Sequence, residues 1–322
     1  MPLLGHVSSS DLVTQLRDKC HAALQEFVPK AEAERAPYAL LDFPIYANIG
    51  DSVIWEGSRK WLEQHHSAPP AYVCSTFDLS HDALDRLAPD GPIYINGGGN
   101  FGDLYPKHQR FRFELVRRYG SRVVHLPQSI HFKSDQPFED TKELSRLGSR
   151  IMVRDYPSIE LAKRLGFEPL LVPDAAFCLG PLQRIGTADR DLFVLKRIDR
   201  EDTGDAISGM DWSGEVPLTW AYAAAKSVVR AKSFSKLAAF DTLTKMRLRR
   251  GIKMLSRGRA VATDRLHGHI VSTLLDIPHF VSDNSTGKLT AFGEAWTFAS
   301  GIAHRRGNLS SITRSEAQAI TR

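Results

Sequence analysis

Short apolar segments alternate with helical patterns along most of this 322-residue chain, and this alternation restricts its fold more than any other feature. Each apolar run is followed by turn-forming residues and then by a segment with helical periodicity. Strands and helices that alternate in this way build parallel sheets covered on both faces by helices. The runs that we interpret as strands in the first half are 38–43, 71–76, 92–95, 122–128, 150–155 and 169–177.

The polar segment Gly180–Asp191 interrupts the alternation and is predicted to be a linker. The pattern resumes afterwards, with apolar or helical segments at 192–199, 216–220, 221–231, 260–263, 267–277 and 279–283. A chain of this length can bury two ordinary cores. We therefore expect an N-terminal Rossmann-like domain at 1–182, a C-terminal one at 190–305, a cleft between them, and a basic tail at 306–322.

The composition is that of an ordinary globular protein, with 42% hydrophobic and 25% charged residues. No apolar run approaches the roughly 20 residues of a membrane span, and the N-terminus lacks the pattern of a secretory signal. Three scattered cysteines, Cys20, Cys74 and Cys178, show no CxxC spacing. They favour a reducing compartment and disfavour a structural zinc site, so we expect a cytoplasmic protein.

Positive charge is concentrated in one stretch, residues 226–259, which contains eleven Lys or Arg residues and one acid, Asp241. Two interpretations stay open: a helix that lies on an anionic membrane surface, and a solvated surface helix. Nucleic-acid binding is disfavoured, because the only aromatic residues between the cations are Phe234 and Phe240. The apolar residues near helical spacing are Leu237, Phe240, Leu243, Leu248, Ile252 and Leu255.

Four loops that follow predicted strands carry reactive groups, and in open α/β sheets ligands bind at such strand ends. The first loop is Ala47–Ser52. Gly50 permits close approach of the backbone, and the helix that follows offers free N–H groups to an anion. An ordinary capped turn is the alternative. The candidate binding residues here are Asn48, Gly50 and Asp51.

The second loop begins with three consecutive glycines, Gly97–Gly99. Glycines directly after a strand indicate that a Cβ would collide with a ligand or with another backbone segment. The sequence is not GxGxxG and lacks the acidic residue of dinucleotide sites, so NAD binding is disfavoured. The candidates for binding are Gly98, Gly99 and Asn100; the candidates for catalysis are Asp103 and His108.

The third loop places Arg154 directly after a strand, where a guanidinium can bind a carboxylate or phosphate with two hydrogen bonds. A surface ion pair, for example with Asp155, is the alternative. The nearby Asp174 is a candidate for binding or for a helix cap.

The fourth loop, Asp264–His267, gives the strongest signal, because a strand runs directly into an amphipathic helix. Arg265 and His267, two residues apart at a helix start, form an anion site with a proton donor. His267 and His269 could instead bind a metal, but without an acidic or cysteine partner this signal is weak. A structural role is the other interpretation of His269.

In these blocks the sequence resembles the polysaccharide pyruvyl transferase family. The resemblance runs in order from the loop at 48–57 through the glycine loop, Arg154 and Asp174 to the Thr-Asp-Arg-Leu-His block at 263–267 and the segment 284–289. It covers residues 38–295, and the combination of blocks is specific. Arg265, Leu266 and His267 match the family's donor-binding triplet. Arg154 and His108 fall at other positions that the family uses in its active site.

The resemblance implies a GT-B-like fold with two facing Rossmann-like domains. It also implies phosphoenolpyruvate as the donor and a carbohydrate, such as a lipid-linked sugar at the inner face of the membrane, as the acceptor. On this hypothesis Arg265 and Arg154 hold the donor, His267 contacts its phosphate, and His108, with Asp103 or Asp51 nearby, is the acid or base on the acceptor side. No cofactor or metal is expected.

Two other functions compete with pyruvyl transfer. A GT-B glycosyltransferase that uses a nucleotide-sugar donor would share the two-domain fold and the anion site. A protein that binds sugar without catalysis is disfavoured by the intact Arg265-Leu266-His267 triplet. The chemistry favours histidines, since their ordinary pKa near 6.5 suits acid and base steps at neutral pH.

Overall fold

The computed structural model describes residues 8–198, 204–212, 235–283 and 285–321. The predicted segments at 216–220 and 221–231, and the start of the basic segment at 226–234, lie outside these ranges. The helices are α1 Ser9–Phe27, α2 Lys30–Ala33, α3 Ile49–His66, α4 His81–Leu87, α5 Pro106–Tyr119, α6 Asp135–Arg146, α7 Tyr156–Arg164, α8 Lys236–Leu255, α9 Leu266–Leu274, α10 Lys288–Trp296 and α11 Arg314–Ala319. The strands are β1 Ala39–Leu41, β2 Tyr72–Cys74, β3 Ile93–Ile95, β4 Gly98–Gly102, β5 Val123–His131, β6 Arg150–Val153, β7 Leu170–Leu171, β8 Arg190–Leu195, β9 Gly258–Thr263, β10 His279–Val281 and β11 Ala303–Arg305.

The first sheet contains seven parallel strands. Six of them lie in the order β2-β1-β3-β5-β6-β7, and β4 pairs with the second half of β5. The predicted strand–helix alternation is therefore confirmed for this half. Because the strands are parallel, their carboxyl ends meet at one edge of the sheet, and that edge carries the loops that follow β1, β3 and β6.

The triple-glycine segment differs from the prediction, which placed it in a loop. Gly98 and Gly99 begin strand β4, whose register against β5 is irregular between Gly98 and Phe101. A Cβ on Gly97 would lie 2.7 Å from the carbonyl oxygen of Pro127, so backbone packing requires that glycine. The neighbouring strand, and not a ligand alone, accounts for part of this glycine-rich stretch.

The second sheet contains four parallel strands in the order β11-β10-β9-β8, which confirms the Rossmann-like alternation in this half as well. Part of the predicted basic tail packs on it: Leu309 and Ala317 are buried with Ala262 and Phe280. One apolar cluster draws on elements from both halves. It includes Leu12 and Leu16 of α1, Ile49 and Val53 of α3, Phe193 of β8, Val261 of β9 and Ile270 of α9.

The apolar face of α8 packs against the rest of the protein, so this face does not lie on a membrane. Phe240 is fully buried and stacks on Phe43, with ring centroids 3.8 Å apart. Arg247 is also buried, and its guanidinium donates to the carbonyl oxygens of Pro44 and Ile45 at 2.6 and 3.2 Å. The apolar residues of this helix, which one of the two interpretations placed on lipid, pack in or against the core instead.

Candidate functional site

The amino-terminal end of α3 is fixed by its own first turn. The side chain of Asn48 accepts from the backbone N–H of Gly50 at 3.0 Å and donates to Asp51 at 2.8 Å. Asn48 is therefore the cap of the helix, and Asp51 and Ser52, which the sequence suggested as caps, lie inside its first turn. A Cβ on Gly50 would lie 2.7 Å from Nδ1 of His267, so this glycine lets the helix end approach the imidazole of a distant segment.

Asp174 joins two of the predicted site residues. Its Oδ2 forms an ion pair with Arg154 and lies 3.4 Å from Nε2 of His267, while Oδ1 accepts from the backbone N–H of Ala176 at 2.9 Å. The carboxylate is buried, and burial by itself raises its pKa; the charges of Arg154 and His267 outweigh burial, and the pKa of Asp174 lies below the usual carboxyl value. Asp174 therefore caps a turn, as one of its two interpretations predicted, and its role in binding stays a prediction.

The guanidinium of Arg154 is held in place on more than one side. Its Nε donates to Oγ of Ser129 at 2.9 Å, and that hydroxyl donates to Asp155 at 2.6 Å. The predicted surface pair with Asp155 is therefore replaced by a contact through Ser129. With only 2% of its surface exposed, Arg154 is a buried cation whose orientation is set by hydrogen bonds.

Lys288, at the start of α10, brings a second cation to Arg154. Its Nζ donates to the carbonyl oxygen of Gly99 at 3.3 Å. A Cβ on Gly99 would lie 3.1 Å from this Nζ and 3.4 Å from a terminal nitrogen of Arg154. Residue 99 thus faces two cations from different halves of the chain. The sequence analysis did not select Lys288, although it lies within the family-like block at 284–289.

Arg265 directly precedes α9 and is buried. Its guanidinium forms an ion pair with Asp211, and its backbone N–H donates to Oγ1 of Thr263 at 3.1 Å. The adjacent Asp264 accepts from the backbone N–H of Arg197 at 2.8 Å, and burial raises its pKa to about 6. The contact of Arg265 with a donor stays a prediction.

His108 is paired with a carboxylate that the sequence analysis missed, Asp42. Nδ1 of His108 lies 3.0 and 2.9 Å from the two carboxylate oxygens of Asp42, which directly follows β1. Asn100 places its amide nitrogen 3.1 Å from the same Nδ1, and its oxygen accepts from the buried Arg112. Burial by itself raises the pKa of Asp42, but His108 and Arg112 bring it below the usual value.

The carboxylate that contacts His108 is therefore Asp42, and not Asp103 or Asp51, which were expected near it. The carboxylate of Asp103 accepts instead from the backbone N–H groups of Lys133 and Ser134, at distances of 2.8 to 3.0 Å. These contacts lie just before α6 and fix the chain there. They give Asp103 a structural role and provide no support for a catalytic one.

Two residues of the Asp264–His269 segment belong to the core. Leu266 is buried in the apolar cluster shared by the two halves, so its side chain packs in the core, and its predicted part in donor binding stays a prediction. His269 is fully buried, with Nδ1 2.6 Å from Nε2 of His279 and Nε2 2.7 Å from Oγ1 of Thr297. Its structural interpretation is confirmed. No group of three or more His, Cys, Asp or Glu side chains suited to a metal occurs among the described residues.

Strand β4 joins the two parts of the site. Gly98, with φ at 131°, places its Cβ position 3.8 Å from the carboxylate of Asp51. Gly99 faces Arg154 and Lys288, and Asn100 contacts His108. Three consecutive residues therefore connect the end of α3, the pair of cations and the histidine–carboxylate pair.

The protein is a parallel α/β protein with two sheets, whose strand ends carry the buried cations Arg154 and Arg265 and the histidines His108 and His267. The profile of the polysaccharide pyruvyl transferase family matches residues 48–286, and the chain belongs to this family. Pyruvyl transferase 1 of Schizosaccharomyces pombe is 32% identical over 293 residues, which cover 80% of this chain and 69% of the yeast protein. The candidate pyruvyl transferase EpsO of Bacillus subtilis is 29% identical over 294 residues, which cover 85% of this chain and 88% of EpsO.

A solved structure supports the fold independently. A functionally uncharacterised protein from Klebsiella pneumoniae superimposes with a TM-score of 0.59 at 18% identity, covering 90% of this chain and 98% of its own. At this identity the likeness concerns the fold alone. Among the described residues, no helix combines the length and apolarity that a membrane crossing requires.

Proposed function

We propose that this protein transfers the pyruvyl group of phosphoenolpyruvate to a sugar as a ketal and releases phosphate. The observation that carries the proposal is the position of Gly99, which faces Arg154 from one half of the chain and Lys288 from the other. Phosphoenolpyruvate has about three negative charges at neutral pH on a three-carbon frame. Two cations converging on a position without a side chain provide space and charge for such a donor.

The donor's second anionic group has partners nearby. His267, held between Asp174 and the Gly50 backbone, lies in the first turn of α9, where free N–H groups and the helix dipole favour a phosphate. Arg265 precedes the same turn. In this proposal Arg154 and Lys288 bind one anionic group of the donor, and His267 with the helix end binds the other.

The reaction needs no redox step, and phosphoenolpyruvate is a co-substrate. The methylene carbon takes a proton, which leaves positive charge on the central carbon. Two sugar hydroxyls bond to that carbon in turn, the bond to the phosphate oxygen breaks, and its electron pair leaves with phosphate. One hydroxyl proton replaces the proton used at the methylene, and the other goes to phosphate. Acid and base groups of this kind typically contribute 10²–10⁴-fold each.

We further propose that the two sheets face each other across a GT-B-like cleft and that the acceptor is a saccharide of an exopolysaccharide or its lipid-linked precursor. A lipid-linked acceptor would place the protein at the cytoplasmic face of the plasma membrane. The outer side of α8 supports peripheral contact with anionic lipid, because Lys245, Arg249 and Lys253 are exposed four residues apart along that helix.

The deciding experiment compares two donor classes on the same purified protein. Phosphate release from phosphoenolpyruvate is measured with methyl hexopyranosides and with oligosaccharides extracted as lipid-linked precursors, and nucleotide release is measured with a set of nucleotide sugars. Two results together support the proposal. Phosphate release must depend on the acceptor, and the acceptor must gain about 70 Da, the mass of pyruvic acid less one water. Nucleotide release without phosphate release identifies a glycosyltransferase instead.

A further inference from the structure

Asp42 occupies an unfavourable backbone conformation at the end of β1. Its φ of 68° lies in the left-handed region, which a residue other than glycine rarely adopts unless its surroundings hold it there. Its carboxylate is buried, and the guanidinium of Arg112, also buried, donates to the backbone and side-chain oxygens of Asn100 beside it. Strain and buried charge that coincide in this way are typical of functional sites.

The contacts of His108 determine which ring nitrogen can react. Nδ1 lies 2.9 Å from the ionised carboxylate of Asp42, which can only accept a hydrogen bond. This nitrogen therefore carries the proton and donates a hydrogen bond to the carboxylate. Nε2 then has a free electron pair for the proton of a hydroxyl group. The side chain of His108 keeps 13% of its surface exposed, whereas Asp42 keeps 2%, so a substrate can reach the histidine but not the carboxylate.

Two tyrosines stand beside the imidazole. The rings of Tyr46 and Tyr105 both have centroids 6.3 Å from that of His108 and are nearly perpendicular to it, at 89° and 86°. Tyr46 is 38% exposed although it is a large aromatic residue. Aromatic rings pack well against the C–H face of a pyranose, and their polar tips can bond its hydroxyls.

We infer that the acceptor sugar binds against Tyr46 and Tyr105, that Nε2 of His108 takes the proton of the attacking hydroxyl, and that Asp42 positions His108 for this step. The inference rests on the proposed function. The O–H bond breaks, its proton goes to Nε2, and the oxygen's electron pair forms the bond to the cationic central carbon of the donor. The protonated imidazole then returns the proton to the phosphate oxygen as phosphate leaves. Asn100 contacts His108, and the adjoining Gly99 faces the donor cations, which puts the two substrates side by side.

The first test compares Asp42→Asn with Glu114→Gln. Glu114 forms an ion pair of the same length, 2.9 Å, with His81 on the exposed side of α5, so it is a matched control. With phosphoenolpyruvate and the best methyl hexopyranoside, we expect kcat/KM for the acceptor to fall about 10²–10⁴-fold in Asp42→Asn. Glu114→Gln should match the wild type. Unchanged kcat/KM in Asp42→Asn overturns the inference.

The second test separates the sugar surface from the base. Tyr46→Leu should raise the acceptor KM at least about 10-fold with little change in kcat, and Tyr46→Phe should restore most of it because the ring is kept. An equal effect on the KM for phosphoenolpyruvate contradicts an acceptor subsite. Thermal shift with phosphoenolpyruvate alone reports donor binding in every variant and should be unchanged, which separates failure here from failure of the donor site.

A third measurement needs no variant. In protein with ¹⁵N-labelled histidine, NMR distinguishes the two neutral imidazole forms of His108. We expect the form with the proton on Nδ1; the form with the proton on Nε2 overturns the assignment of the base even if Asp42→Asn fails to fold. If no acceptor supports phosphate release by the wild-type protein and phosphoenolpyruvate causes no thermal shift, the proposed function and this inference are both overturned.

Discussion

The backbone of Gly50 lies so close to the imidazole of His267 that a Cβ there would be 2.7 Å from Nδ1 and 2.9 Å from Cβ and Cγ of the histidine. The contact joins the start of α3 to the start of α9, across more than 200 residues of sequence. Packing against Gly50 therefore acts together with the contact of His267 with Asp174 to fix the position of the imidazole.

We expect Gly50→Ala to reduce activity at least about 10-fold by displacing His267. Alanine gains about 1 kcal/mol of helix propensity relative to glycine, whereas the overpacking costs about 1–3 kcal/mol, so Tm should change little compared with the loss of activity. Steady-state phosphate release and thermal unfolding measure the two effects. The control is Gly307→Ala, where a Cβ would meet nothing within 4 Å; equal activity of both variants contradicts the assignment.

Asp174 is predicted to stabilise the fold above pH 4 and to lose that effect in acid. Its folded pKa is lowered by Arg154 and His267, so the stabilisation is present above the unfolded pKa of about 3.9 and disappears as the pH falls through the folded value. Asp174→Asn leaves the buried Arg154 without its charge partner, and we expect a loss of about 3–5 kcal/mol at pH 7. Urea unfolding at several pH values should show this difference shrinking below pH 4.

Asp264 is predicted to behave in the opposite sense. Burial raises its pKa to about 6, so its favourable contribution to stability is complete below the unfolded pKa and is lost as the pH rises through about 6. Asp264→Asn keeps an oxygen that can accept from the backbone N–H of Arg197. We expect this variant to be up to about 3 kcal/mol more stable than the wild type at pH 8. The gain should vanish near pH 4, and a gain independent of pH would show that ionisation is not its cause.

The sequence was sufficient to predict the strand ends and the residues that face them. Arg154 follows β6 and His267 begins the helix after β9, and in parallel sheets such positions converge on one edge whatever the details of packing. The helix that follows β1 was also predictable, but it begins earlier than expected, with Asn48 as its cap instead of Asp51 or Ser52, because helix boundaries are less certain than helix existence.

Pairing between distant segments was not predictable in the same way. Asp42 looks like the last residue of an apolar strand, and its partner His108 lies 66 residues away, so no local spacing marks the pair. The burial of the Leu266 side chain in the core was not predicted either, because the triplet was interpreted through the chemistry of its two neighbours. The glycine-rich strand β4 was missed because three glycines have a low strand propensity.

Arg265 offers a test of the donor site that also affects the fold. Its guanidinium pairs with Asp211, of which only 1% of the side chain is exposed. Arg265→Ala is expected to abolish pyruvyl transfer, as the sequence predicts, but also to lower stability by about 3–5 kcal/mol, because it removes the cation that forms an ion pair with the buried Asp211. Arg265→Lys keeps a positive charge for Asp211 and should recover most of the stability without full activity, since lysine cannot form a two-point contact with an anion. Transfer by Arg265→Ala at the wild-type rate refutes the donor role.

Lys245, Arg249 and Lys253 give the final prediction, since they form the exposed face of α8 while its apolar face packs in the core. Adsorption to lipid is then electrostatic and involves no insertion of this helix. At about 1 kcal/mol for each cation near an anionic surface, three cations supply roughly 3 kcal/mol. Flotation with liposomes should therefore require anionic lipid and weaken steeply as salt shortens the screening length below about 8 Å.

Charge reversal distinguishes this face from the net charge of the protein. We expect Lys245→Glu, Arg249→Glu and Lys253→Glu together to abolish flotation, with Tm nearly unchanged because the side chains are exposed. The control makes the same change in net charge elsewhere, at the exposed residues Arg86, Arg146 and Lys163, and should retain most of the binding. If both triple variants lose flotation equally, the overall charge and not α8 attracts the protein to the membrane; if the wild type floats equally well with neutral lipid, the electrostatic contact is wrong.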